Sequence, residues 1–95
     1  MRYVIHAYDG TDPDAPARRM AARAAHFEGA RRLDAEGHFV LGGALLDAQG
    51  QMIGSMLLLD FDQESQIQEW LAWEPYCVQR VWDKIDIRPF LQATI

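Results

Sequence analysis

The order of its segments constrains the fold of this 95-residue chain more than any other feature of the sequence. Four short runs rich in β-branched, aromatic and other apolar residues are typical of strands, and two segments of strong helix formers separate them. The predicted elements are a strand at 2–8, a helix from Ala15 to about Glu36, strands at 38–46 and 52–60, a helix that Asp62 caps, a short helical turn that starts at Glu74-Pro75, and a strand at 82–90.

The order βαββαβ predicts an α+β fold of the ferredoxin-like type, with a four-stranded antiparallel sheet. Ninety-five residues are enough for one domain, so we expect a single domain over residues 1–95. Gly37 is expected to end the first helix. Asp47 and Gly50 are the first and fourth residues of the segment between the second and third strands, which favours a type I hairpin turn there.

The third strand is apolar on both faces. Ile53, Leu57 and Leu59 lie on one face, and Met56 and Leu58 lie on the other. Two helices can cover only one face of a four-stranded sheet, and a face exposed to water normally carries polar residues. We therefore expect a second subunit to cover the other face in a homodimer, and higher homo-oligomers stay open.

Charge and apolar run length limit the partners. The net charge is -5, which disfavours binding to a phosphate backbone. The longest apolar run, Met56 to Leu59, is far shorter than the roughly 20 residues of a membrane helix. The single cysteine, Cys77, fits a reducing compartment. We expect a cytoplasmic protein that binds neither nucleic acid nor membrane.

Three residues of the first helix suggest chemistry. Arg19, Arg23 and His26 are spaced i, i+4, i+7 and therefore share one helix face. Two guanidinium groups beside an imidazole suit a small anion, and the imidazole can move a proton. The same spacing also fits a solvated basic stripe with an incidental histidine.

A different stripe of this helix is expected to face the sheet, because its members recur at helical spacing. It consists of Ala17, Met20, Ala21, Ala24, Phe27 and Arg31.

Other polar residues give weaker signals. His6 and His38 are interpreted as structural, and the histidines lack metal-ligand spacing, so no metal is predicted. Gly42-Gly43 is not a dinucleotide fingerprint, so no cofactor is predicted either. Ser55 lacks the second glycine of a nucleophile elbow, and the pattern favours a small residue for close strand packing.

Glu74 has two possible roles. A carboxylate just before Pro75 can cap the next helical turn, although glutamate caps less well than aspartate. A carboxylate that reaches His26 would instead fix the tautomer of the imidazole, as in catalytic histidine–carboxylate pairs. The sequence alone does not place the two side chains within reach.

Four features, taken in order along the whole chain, resemble the YCII-related family. They are the opening strand and turn Tyr3–Asp9, the helix motif Arg23–Phe27, the strand motifs Gly42–Leu46 and Gly54-Ser55, and the closing motifs Glu74–Tyr76 and Ile87–Phe90. The resemblance implies a ferredoxin-like subunit that pairs into a dimeric α+β barrel. It also implies a histidine–aspartate pair as the active site, in a family whose few members with known chemistry isomerise lactones or remove halide from small ring-derived acids.

His26 matches the family's histidine, and Glu74 stands where the family has aspartate, which keeps the charge and adds one methylene. The resemblance therefore implies a small-molecule lyase or isomerase that acts on a small carboxylate or lactone. Its catalytic residues would be His26 and Glu74, and its substrate-binding residues Arg19, Arg23, Ser55 and Tyr76. The alternative is a non-catalytic module of the same fold that binds a small acid or serves in assembly.

Overall fold

A computed structural model describes all 95 residues and has the predicted order of elements. The fold is α+β, as predicted. Its elements are β1 (Arg2–Asp9), α1 (Ala15–Ala35), β2 (Phe39–Leu46), β3 (Met52–Asp60), α2 (Glu64–Leu71), α3 (Pro75–Val78) and β4 (Trp82–Phe90).

The four strands form one antiparallel sheet in the order β2-β3-β1-β4, so β1 and β3 are central. Ala7 of β1 lies opposite Ser55 of β3. A Cβ atom at the neighbouring Gly54 would lie 2.4 Å from the backbone oxygen of Ala7. Any side chain at position 54 would therefore push β3 away from β1 and move Ser55 with it.

The turn and helix-end predictions are mostly confirmed. Gly37 follows α1 with a φ of +83°, and Gly50 has a φ of +80° in the hairpin turn, where glycine is favoured. Asp47 Oδ1 accepts hydrogen bonds from the backbone N–H groups of Gln49 and Gln51, both at 2.9 Å. These bonds hold the β2–β3 turn.

The predicted cap of the second helix is wrong by one residue. Gln63 rather than Asp62 occupies the N-cap position, because the chain stays extended there and α2 begins at Glu64. The Gln63 backbone N–H donates to Oε1 of Gln66 at 2.9 Å, which satisfies one of the free donors at this helix end.

The core lies between one face of the sheet and all three helices. Its cluster includes Tyr3, Ile5, Ala7, Leu57 and Leu59 from the central strands, Ala22 and Leu33 from α1, Ile67 and Trp70 from α2, Tyr76 from α3, and Val81 and Trp82. Because α1, α2 and α3 all contribute to one cluster, they cover the same face, and the opposite face carries no helix.

The predicted buried stripe of α1 is wrong. All six residues of that stripe are exposed, and Met20 and Phe27 are 57% and 40% exposed. The buried face consists instead of Ala15, Arg19, Ala22, His26, Gly29 and Leu33. The helix turns Arg19 and His26 inward because each finds a buried partner there, Asp9 and Glu74 respectively.

None of the helices combines the length and the apolar character that crossing a membrane requires.

Candidate active site

A cavity of about 270 Å³ opens between α1 and the β2–β3 side of the sheet. Arg19, Arg23, His26, Ser55 and Tyr76 form its polar wall. The rest of the lining consists of Phe27, Ala30, Phe39, Gly42, Gly43, Ala44, Met52 and Leu57. This volume lies just below the roughly 300–1,000 Å³ typical of ligand pockets, so the cavity suits a molecule of about one ring.

Arg19 is held on the cavity wall by a buried ion pair. Its Nη1 donates to both carboxylate oxygens of Asp9, at 2.9 and 3.1 Å. The two side chains are only 5% and 6% exposed. Burial raises the pKa of Asp9, and the adjacent Arg19 guanidinium opposes this rise. Asp9 is therefore the charge partner of Arg19.

Arg19 also organises its neighbours. Its Nη2 donates to Ser55 Oγ at 2.9 Å, and Trp82 Nε1 donates to the same oxygen at 3.2 Å. Its Nε is the one buried side-chain polar atom of the chain without a hydrogen-bond partner. The guanidinium carbon lies 4.8 Å from the centre of the Tyr76 ring, a cation–π distance.

His26 and Glu74 are hydrogen-bonded through Nδ1 and Oε1. Glu74 is 1% exposed and does not line the cavity, whereas His26 does. A carboxylate can only accept, so the bond places the proton of a neutral imidazole on Nδ1. His26 Nε2 bonds to no protein group, so its lone pair has no partner within the chain.

Glu74 fills both of the roles that the sequence left open. Its Oε2 accepts a hydrogen bond of 2.6 Å from the backbone N–H of Tyr76, which caps α3, while Oε1 bonds to His26. The cap fixes the carboxylate in place, and the carboxylate fixes the imidazole. The N-terminus of the short helix α3 therefore holds the Glu74 carboxylate in position to bond to His26.

Tyr76 packs against both polar residues of the buried α1 face. Its ring stacks on the His26 ring with centroids 3.9 Å apart and an interplanar angle of 11°, and it also contacts Arg19. Burial raises the pKa of Tyr76, although the Arg19 and Arg23 guanidiniums oppose this rise. The phenol stays neutral at physiological pH and can donate a hydrogen bond.

Arg23 is the cation on the cavity wall that no carboxylate neutralises. Its guanidinium carbon lies 4.5 Å from the centre of the Phe27 ring, and the side chain is exposed. An anion that enters the cavity therefore meets Arg23 before any other positive group.

The structure brings together all six residues predicted for the site, with Glu74 behind His26 rather than on the cavity wall. Arg19 and Arg23, which were predicted to bind an anion together, both line the cavity, but Asp9 pairs with Arg19 and no carboxylate pairs with Arg23. Asp9 and Trp82 were missed. Strand alternation places Asp9 on the same face as Tyr3, Ile5 and Ala7, and this was the available signal.

Neither a metal site nor a reactive thiol supplements this cluster. No three histidine, cysteine or acidic side chains lie close enough together to hold a metal ion. Burial and the nearby Glu74 raise the pKa of the Cys77 thiol to about 11, so little of it is thiolate at neutral pH.

The model of the YCII-related domain matches residues 1–91. No curated protein matches the chain significantly.

Two solved structures share the fold over nearly their whole length. TftG of Burkholderia phenoliruptrix AC1100, a 5-chloro-2-hydroxyhydroquinone dehydrochlorinase, is 19% identical with a TM-score of 0.86, and the match covers 98% of this chain and 96% of TftG. Rv0793 of Mycobacterium tuberculosis is 16% identical with a TM-score of 0.52, and the match covers 99% and 97%. Both belong to the dimeric α+β barrel proteins.

Proposed function

The chain belongs to the YCII-related domain family, and from this membership we propose that it is a small-molecule enzyme, a lyase or isomerase whose base is His26. One observation carries the proposal. The imidazole lies on the wall of a cavity with Nδ1 bonded to the buried carboxylate of Glu74, so that Nε2 is left to act as a base. The extra methylene of glutamate does not prevent this bond.

The substrate that fits these groups is a small ring-containing acid, lactone or hydroxyquinone. Arg23 would attract its negative charge, and the apolar lining would hold its ring. His26 Nε2 would remove a proton from a carbon next to a carbonyl group; in a chlorinated hydroxyhydroquinone this carbon exists in the diketo tautomer, where the neighbouring carbon carries the chlorine. In an elimination, the electron pair left on the carbon then expels a leaving group as an anion. In an isomerisation, the double bond shifts and His26 gives the proton to another carbon.

TftG, which shares the fold of this chain, supports elimination as the class of reaction. That protein is a dehydrochlorinase, and its structure contains 2,5-dihydroxybenzoquinone. Loss of a proton and a chloride ion from one substrate balances without an oxidant or a reductant, and one base is enough to start it. We carry this class of reaction to the chain as part of the proposal.

Turnover of a small panel tests the proposal. 5-Chloro-2-hydroxyhydroquinone and unsaturated five-membered lactones would be followed by ultraviolet absorbance and chloride release. We expect the native protein to turn over at least one compound. Arg23→Ala should raise KM roughly tenfold to hundredfold, the effect of losing one charge-assisted hydrogen bond, with a smaller change in kcat.

Arg31→Ala is the matched control for Arg23→Ala. Arg31 lies on the same helix, but its side chain is 74% exposed and pairs with Glu28 away from the cavity. It should leave both kinetic constants unchanged. Saturable binding of the panel compounds without turnover of any of them would contradict the enzyme and favour the non-catalytic binding module.

We also propose that the chain works as a homodimer through the face of the sheet that no helix covers. Met56 and Leu58 of β3 and Val4 of β1 lie on this face by strand alternation, together with Leu41 and Leu45 of the edge strand β2. Leu41 is 46% exposed. A contiguous apolar sheet face of this kind is typical of a subunit contact.

Sedimentation tests the dimer. Sedimentation of the native chain should give a mass of at least twice 10.8 kDa. The contact between the subunits should bury at least roughly 1,000 Å². Met56→Lys, on the uncovered face, should give monomers because it buries an unpaired charge. Met20→Lys alters an exposed methionine of α1 and should leave the mass unchanged. A native monomer at micromolar concentration would refute the dimer.

A further inference from the structure

Ser55 has an unusual hydrogen-bond balance. A hydroxyl group offers one donor hydrogen and two acceptor lone pairs. Ser55 Oγ accepts from Arg19 Nη2 and from Trp82 Nε1, at 2.9 and 3.2 Å. A guanidinium and an indole can only donate, so neither can receive the hydroxyl hydrogen. Both lone pairs of Ser55 Oγ are therefore used, and its hydroxyl hydrogen is the only part of the group that can still form a hydrogen bond.

That hydrogen has no acceptor within the protein. Ser55 is 2% exposed, and its Oγ donates to no group of the chain. Buried polar groups normally have partners. Since Ser55 lines the cavity, the missing acceptor is supplied by whatever occupies the cavity. The cation behind the oxygen polarises the hydroxyl and makes it a stronger donor.

The same contacts argue against Ser55 as a nucleophile. A nucleophilic serine needs a base that takes its proton and a lone pair directed at the substrate. Here both hydrogen-bonded neighbours donate to the oxygen, and His26 bonds to Glu74 instead of to Ser55.

We propose that Ser55 is an obligate hydrogen-bond donor to the ligand, so that the cavity selects molecules with a carbonyl, enolate or carboxylate oxygen at this point. The inference rests on the proposed function, because it takes the occupant of the cavity to be the substrate. Removal of a proton next to a carbonyl group places negative charge on the carbonyl oxygen. A donor backed by Arg19 stabilises that charge as it develops.

A second group of the ligand, a carboxylate, can pair with Arg23 of α1. Arg19, which holds Ser55, and Arg23 lie one helical turn apart, so their Cβ atoms are roughly 5–6 Å apart. Because Ser55 and Arg23 both line a cavity of about 270 Å³, we expect a ligand of about one ring to give an acceptor oxygen to Ser55 and a carboxylate to Arg23.

A pair of isosteric ligands tests the proposal on the native protein. 4-Oxocyclohexanecarboxylate carries a carbonyl oxygen, and 4-methylenecyclohexanecarboxylate carries a CH₂ group of similar size in its place. Calorimetry should show that the methylene compound binds roughly tenfold to hundredfold more weakly, because it leaves the buried hydroxyl unpaired. Equal affinities would overturn the proposal.

Infrared spectroscopy provides the second measurement. The ketone band of bound 4-oxocyclohexanecarboxylate should lie at a lower frequency in the native protein than in Ser55→Ala, because donation weakens the C=O bond. A merely structural role of Ser55 would lower Tm without moving this band. The same band position in both proteins would overturn the proposal even if the variant binds less tightly.

The outcomes separate this inference from the proposed function. If the protein discriminates between the two ligands but turns over no substrate, the proposed enzyme activity is contradicted and the donor role of Ser55 is supported. If it turns over a substrate but binds the two ligands equally, the enzyme activity is supported and the donor role is contradicted. If neither ligand binds saturably at millimolar concentration, the ligand class proposed for the cavity is wrong, and the panel of substrates then decides the function alone.

Discussion

Replacing Asp9 with asparagine, or Arg19 with methionine, is expected to lower the free energy of unfolding by about 3–5 kcal/mol, since each change leaves one buried charge without its partner. The two side chains are 6% and 5% exposed and share two hydrogen bonds. Small domains are stable by only about 5–15 kcal/mol, so the loss is a large part of the total. Urea denaturation at fixed protein concentration measures it.

Two comparisons control this prediction. Replacing both partners, Asp9→Leu with Arg19→Met, should recover most of the loss, because a buried ion pair is often exchanged for apolar residues at little cost. Asp12→Asn breaks an exposed pair with Arg18, whose guanidinium holds the pKa of Asp12 at about 2. It should have a much smaller effect, because solvent screens the pair. A double variant as unstable as the single ones would contradict the argument.

The sequence predicted the elements well because their signals are local. The bounds of β3 and β4 were predicted as observed, and those of β1 and β2 differ by one residue. Turn residues such as Gly37 and Gly50 mark the ends of elements through their own backbone preferences. Such signals need no knowledge of what the chain packs against.

The buried face of α1 was mispredicted for a physical reason. Apolar periodicity assumes that polar side chains face water, but Arg19 and His26 face the core because Asp9 and Glu74 meet them there. These partners lie 10 and 48 positions away in the chain. A pattern of single residues cannot show such pairing, so the periodicity fails at the positions that form the candidate site.

The candidate residues themselves could be named from the sequence, and their roles depended on contacts. The spacing of Arg19 and Arg23 predicted that both guanidiniums bind the same small anion. The structure separates them, because Asp9 neutralises Arg19 and no carboxylate neutralises Arg23. The local pattern of Ser55 favoured a packing residue, and the family resemblance implied a substrate-binding residue. The hydrogen bonds to its oxygen became visible only with Trp82 in place.

Glu74→Gln is expected to lower kcat by roughly 10²–10⁴-fold, because it reverses the tautomer of His26. The backbone N–H of Tyr76 needs an oxygen at position 74 to cap α3. If the amide oxygen of the glutamine takes that place, its NH₂ group faces His26 Nδ1 and donates to it. Nδ1 then becomes the acceptor, the proton moves to Nε2, and the lone pair that served as the base is gone.

Nitrogen-15 NMR of the histidine imidazoles tests the change of tautomer independently of enzyme activity. In the native protein His26 should show protonated Nδ1 and unprotonated Nε2, and in Glu74→Gln the opposite. His38 is an internal control in the same spectra, because its Nδ1 contacts the backbone oxygen of Asp60 at 2.8 Å and nothing at position 74 affects it. Glu74→Asp keeps a group that can only accept, so His26 should retain the native tautomer. An unchanged tautomer in Glu74→Gln with full turnover would show that Glu74 is only the cap of α3, and His26 would then need no carboxylate to act.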